Sequence, residues 1–110
     1  MRIAIASEGR ELTSRIDSRL GRAKYIIIYD TRNGDVKVLD NQEASQMTSG
    51  AGVNTAEAIV EMNVDYVVSQ NFGPKALQVF KAAGVKAAVI SEVTVAEAVD
   101  LVKLGRFYMV

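Results

Sequence analysis

Two glycine-bearing turns carry the strongest chemical suggestion in this chain. Ser49-Gly50-Ala51-Gly52 runs into Val53-Asn54-Thr55-Ala56-Glu57-Ala58-Ile59-Val60, and Asn71-Phe72-Gly73-Pro74 runs into a second helical pattern. Glycine opens backbone conformations closed to other residues and lets a ligand come close. A helix starting at such a turn aims unpaired N–H groups, at the positive end of its dipole, into the space ahead. That is the makeup of an anion or cofactor cradle. The same residues also make a plain helix entry, and a lone Gly-x-Gly does not separate the two.

What is missing narrows the chemistry further. The chain has no histidine and no cysteine. It therefore offers no imidazole base, no thiolate ligand and no thiol nucleophile. Carboxylate, carbonyl and thioether ligands remain, and these suit zinc or iron–sulfur clusters poorly. Thirteen basic residues balance thirteen acidic ones, so no overall field attracts nucleic acid or a membrane. Charge near the N-terminus and the lack of an apolar run approaching roughly 18 residues leave no signal peptide or membrane span to read. The expectation is one soluble, cytoplasmic domain over residues 1–110. Its 49% apolar and 24% charged residues are ordinary for a globular core.

The elements that must position these turns follow from period and punctuation. Ile3 to Ala6 is a short apolar run closing at Ser7-Glu8-Gly9, a buried strand. Residues 8–24 form a loop with five basic and three acidic side chains. Tyr25-Ile26-Ile27-Ile28-Tyr29 reads as a strand covered on both faces, and the Asn33-Gly34 turn links it to an edge strand at Val36-Lys37-Val38-Leu39. Asn41 to Thr48 has no period and reads as loop. From residue 53 the period becomes helical, with Val53, Ala56, Ile59, Val60 and Met62 inward. Asn54 with Glu57 is a candidate cap that would leave Gly50 and Gly52 in the preceding loop.

Asp65 to Ser69 and Val85 to Ile90 are further buried strands, each followed by a helix. Pro74 suits the first position of one helix, and Thr94 with Glu97 forms a capping box for the other. Arg106 to Val110 is an apolar tail that packs on the core or on a partner. Three strands followed by alternating helices and strands predict an α/β fold. Its sheet has five strands in mixed order, a β-hairpin plus parallel βαβ units, with three helices in a ribonuclease H-like arrangement. Ligands in such sheets collect at the carboxyl ends of the parallel strands. Those ends are Ser7-Glu8, Ser69-Gln70-Asn71 and Ser91-Glu92, on the edge where both glycine turns and the arginine loop should open. A two-metal nuclease needs carboxylates clustered on the central strands, and Ile3 to Ala6 supplies none.

Ser18-Arg19-Leu20-Gly21-Arg22-Ala23-Lys24-Tyr25, Asn41, Gly50-Ala51-Gly52-Val53, Asp65-Tyr66-Val67-Val68, Gly73-Pro74-Lys75-Ala76 and Gly84-Val85 together resemble the dinitrogenase iron–molybdenum cofactor biosynthesis family. This is the group of NifX, NafY and the C-terminal part of NifB. The resemblance spans nearly the whole chain. It implies a ribonuclease H-like fold without nuclease activity, and the binding, carrying or handing over of an iron–sulfur–molybdenum cofactor or its precursor. Cofactor-binding members commonly carry His before a Phe-Gly-Arg-Ala motif, and the matching positions here are Arg19 and Leu20.

The reading that follows is a non-catalytic module binding a metallocluster or small anion. The site residues are Ser7, Arg19, Arg22, Ser49, Gly50, Gly52, Asn71 and Gly73, with no protein ligand to a metal. The alternative is an interaction protein that has lost the cofactor and acts through strand 36–39 or the tail 106–110, as a homodimer or with another protein.

Overall fold

The structure is a computed structural model covering residues 1–110. Its elements are β1 (Arg2–Ser7), a single 3-10 turn (Leu20–Arg22), β2 (Tyr25–Asp30), β3 (Val36–Asp40), α1 (Gln42–Ser45), α2 (Ala51–Val60), β4 (Tyr66–Ser69), α3 (Pro74–Ala83), β5 (Lys86–Val89), α4 (Val95–Lys103) and β6 (Tyr108–Met109). The sheet order is β3-β2-β1-β4-β5-β6. β1, β2 and β3 pair antiparallel, β1, β4 and β5 pair parallel, and β6 returns antiparallel to β5.

The mixed α/β class and the hairpin stand as expected, and three details differ. The sheet has six strands, because the tail closes on β5 as β6. Two residues are too few to show a period, and their place is fixed by the ladder rather than by pattern. There are four α-helices, because Asn41 to Thr48 contains α1. That helix is one turn, in which Ser45 N–H reaches the Asn41 carbonyl at 2.9 Å. Finally, α2 begins at Ala51 with Gly50 as its N-cap at φ 78°, a left-handed conformation that favours glycine. Gly52 therefore lies in the first helical turn. Asn54 is no cap; its side-chain amide donates to the Gly50 carbonyl at 2.9 Å.

Alternation along β1 divides the core in two. Ala4 and Ala6 face α2 and α3 with Ile26, Ile28, Val67, Ile59 and Phe80. Ile3 and Ile5 face α4 with Ile27, Val68, Val95, Val99 and Val102. Isoleucine and valine suit a doubly covered strand, and each such buried side chain contributes about 1.5–3 kcal/mol. The strand ends are thereby held rigidly beneath the loops.

Asp30 closes β2. Its carboxylate side chain is 5% exposed and pairs with the exposed Arg32 guanidinium at 2.8 Å, and it also accepts the Arg32 backbone N–H at 3.0 Å. These bonds, the guanidinium's first, hold its pKa well below the usual carboxylate range. A lowered folded-state pKa gives stability that is full above the unfolded value of about 3.9 and fades as pH falls through the lower folded value. Asp30→Asn should lower Tm at neutral pH, and the difference from wild type should shrink as pH falls below about 4. Thermal melts across the acid range check this; a constant difference would point to packing instead.

Candidate functional site

Above the carboxyl ends of β1 and β4, three segments converge on a groove of about 440 Å³. One wall is Arg19 to Arg22, the second is Gly50 to Gly52 and the third is Asn71 to Gly73. A contiguous hollow of about 360 Å³ continues between Gly50, Gly52 and Val53 on one side and Gly73 to Ala76 on the other. The starts of α2 and α3 thus face one space.

Both helices begin on glycine, and neither has a side-chain cap. The N–H groups of Ala51, Gly52, Val53, Lys75 and Ala76 have no protein acceptor. α4, on the other sheet face, contrasts with them. There Thr94 and Glu97 complete a capping box at 3.2 and 2.9 Å, and the bonds from Thr94 lower the Glu97 pKa. Unpaired N–H groups at aligned dipole ends favour a negative charge in front of them.

The arginine wall reaches the helices through glycine. A Cβ on Gly21 would stand 2.7 Å from both N and Cα of Gly52, closer than packed atoms come, so the two backbones touch. Asn41 secures the same junction from below. Its buried side chain donates to the Ala23 carbonyl at 2.9 Å and accepts from the Thr55 hydroxyl at 3.1 Å.

Of the residues expected at the site, Arg19, Arg22, Gly50, Gly52, Asn71 and Gly73 line the groove. Ser7 and Ser49 do not. Ser7 is buried and closes its own turn, donating to the Gly9 carbonyl at 2.7 Å and accepting the Gly9 N–H at 3.2 Å. Ser49 lies on the exposed approach to Gly50. The third strand end also departs, because Glu92 reaches toward Arg15 at 3.7 Å and Ser91 lines a separate hollow.

The two arginines are not equivalent. Arg22 donates through one nitrogen to the carbonyls of Ser45 at 2.8 Å and Met47 at 2.7 Å, which fastens the loop before α2. Arg19 is exposed and its guanidinium has no ion pair or hydrogen bond within the chain. Asn71 donates to the Ser18 carbonyl at 3.3 Å and keeps its amide oxygen free. Sequence reasoning missed Gly21 as the contact that builds the groove, although Leu20-Gly21-Arg22 placed a glycine between anchoring residues. It also missed Phe72, which meets Phe80 edge-on at 6.1 Å, and named Ser69 only as part of a strand end. The Ser69 hydroxyl is fully buried without a hydrogen-bond partner, two residues before Asn71.

No three His, Cys, Asp or Glu side chains converge anywhere in the chain, and the groove is walled by N–H groups, an amide and two arginines, of which only Arg19 has an unengaged guanidinium. This donor set does not suit direct coordination of a metal ion. It does suit the outer atoms of an anion, held by hydrogen bonds and charge.

A small α/β protein with an uncapped, cation-edged groove at its sheet edge is the class that fold and geometry define. The chain matches the family model described as dinitrogenase iron-molybdenum cofactor over residues 1–105, and it belongs to that family. The apo form of the orange protein from Desulfovibrio gigas is similar, at 32% identity and a TM-score of 0.94, covering 99% of this chain and 92% of that one. A Thermotoga protein assigned to NifB is 38% identical with a TM-score of 0.86, covering 98% and 91%. An uncharacterized protein of Methanocaldococcus jannaschii is 29% identical over 96 residues, 84% of this chain and 80% of its own.

Gly21→Ala should destabilise the protein by about 1–3 kcal/mol through the clash with the Gly52 backbone. Gly52→Ala should be neutral or stabilising by about 0.5–1 kcal/mol, because its Cβ would make only ordinary contact with Ala76 at 3.6 Å. Denaturant unfolding of the two variants compares them directly; equal effects would mean that the loop does not press on α2.

Proposed function

We propose that this protein is a non-catalytic carrier of the iron–molybdenum cofactor family. It takes an iron–sulfur–molybdenum cluster, a precursor of one or a smaller anion at the groove between α2 and α3. The observation that carries the reading is the convergence of two uncapped, glycine-led helix starts with the free Arg19 guanidinium. The family membership supplies the class of ligand. The donor set supplies the mode, in which N–H groups of residues 51–53 and 75–76 and the Arg19 side chain contact the outer atoms of the anion while no protein atom binds a metal. Arg22 acts one step back by holding the loop that sets the angle of α2. Ser49 and Ser7 have no direct part in this arrangement. The strand order of β3-β2-β1-β4-β5 is consistent with a ribonuclease H-like ancestry. On this reading the protein is cytoplasmic and passes its anion to a partner.

Anaerobic equilibrium dialysis against tetrathiomolybdate tests the reading. Loss of a charge-assisted hydrogen bond costs about 1.5–3 kcal/mol, so Arg19→Ala should bind about 10- to 100-fold more weakly with an unchanged Tm. Arg22→Ala should lower both affinity and Tm. Equal binding by wild type and Arg19→Ala would contradict the assignment.

A further inference from the structure

The edge of the sheet at β6 is open, and it presents apolar and cationic groups together. β6 is paired on one side only. The Val110 N–H donates to the Ala87 carbonyl, so these residues occupy a bonded position of the antiparallel ladder. The adjacent pair, Met109 opposite Ala88, is then a non-bonded one, and the Met109 N–H and C=O point away from the sheet. Tyr108 is 80% exposed, Leu104 66% and Met109 54%, a concentration of exposed apolar surface matched nowhere else on the chain. Beside them Ile90, Leu101 and Phe107 help to line a hollow of about 360 Å³ with Arg106 at its rim.

Basic side chains outnumber acidic ones here, with Asp100 one helical turn before Leu104 on α4 and Asp65 beside Lys86. Lys86 at the start of β5, Lys103 in the last turn of α4 and Arg106 are exposed and form no ion pair; Lys86 rests near the face of Tyr66 at 5.5 Å. The far edge, β3, differs. It carries Lys37 at mid-strand, and its Asp40 is matched by Arg10 at 3.7 Å, an arrangement that guards an edge against pairing. At β6 a second copy of the chain would bring cations against cations, which disfavours association. A bare strand edge also calls for a backbone partner, which a lipid surface does not supply.

We infer that the β6 edge docks an extended segment of a partner protein in which acidic residues alternate with apolar ones. The segment adds a strand through the outward groups of Met109, seats an apolar side chain in the hollow and sets its carboxylates against Lys103 and Arg106. The surface lies apart from the α2–α3 groove, so the protein can hold an anion and a partner together.

Fluorescence polarisation with a labelled decapeptide of alternating valine and glutamate tests this on the full chain, with a valine–lysine decapeptide as control. The acidic peptide should bind saturably, more weakly as salt rises, and the basic one at least tenfold less. Met109→Pro removes the outward donor and leaves the inner ladder bonds, and it should abolish binding. The double variant Lys103→Glu, Arg106→Glu should reverse the preference between the peptides. The proposal is overturned if neither peptide binds, or if Met109→Pro with native Tm binds normally. It is likewise overturned if sedimentation shows a dimer that Met109→Pro dissociates, or if the chain binds anionic vesicles but neither peptide.

Discussion

Contact between the backbone of Gly21 and that of Gly52, with room for no Cβ between them, is the constraint on which the groove depends. It brings the turn bearing Arg19 and Arg22 against the first turn of α2. Asn41 braces the contact from within the core by joining the Ala23 carbonyl to Thr55 on α2. Both partners of Asn41 are buried with it, so loss of either would strand a polar group at about 1–3 kcal/mol. The loop, the helix start and the end of the hairpin therefore move as one body. A side chain at position 21 would separate Arg19 from the N–H groups it complements.

The chain treats its helix starts unequally. α4 satisfies its own N-terminus with Thr94 and Glu97, whereas α2 and α3 begin on glycines that offer no acceptor. Where a protein caps one helix internally and turns two bare ones toward a shared space with an unpaired guanidinium, the favourable electrostatic partner is an anion. The same geometry would let a member of this family hold an anion without histidine or cysteine. On the proposed reading, charge and hydrogen bonding act on the outside of the ligand in place of coordination.

Much of this was legible in the residues. The isoleucine-rich runs gave the strands, Asn33-Gly34 the hairpin, Pro74 the entry to α3, and Thr94 with Glu97 the entry to α4; each is a local signal that tertiary packing reinforced. What escaped has equally local reasons. α1 and β6 are shorter than any period, and the start of α2 turned on a backbone angle at Gly50 that Asn54 and Glu57 appeared to contradict. At the candidate site, residue types placed Arg19, Arg22, Gly50, Gly52, Asn71 and Gly73 on one rim, and the structure brings them together around one groove. They did not reveal that Ser7 turns inward to Gly9, or that Arg22 is engaged with the carbonyls of Ser45 and Met47. Gly21 escaped because a glycine needed for a contact 31 positions away along the chain looks like any glycine in a polar loop.

Amide chemical-shift mapping during an anaerobic titration with tetrathiomolybdate tests the central claim most directly. The account predicts saturable shifts concentrated at the N–H groups of Ala51, Gly52, Val53, Lys75 and Ala76, with the Thr94–Glu97 cap unmoved. No shifts, or shifts spread over the basic surface without saturation, would contradict it.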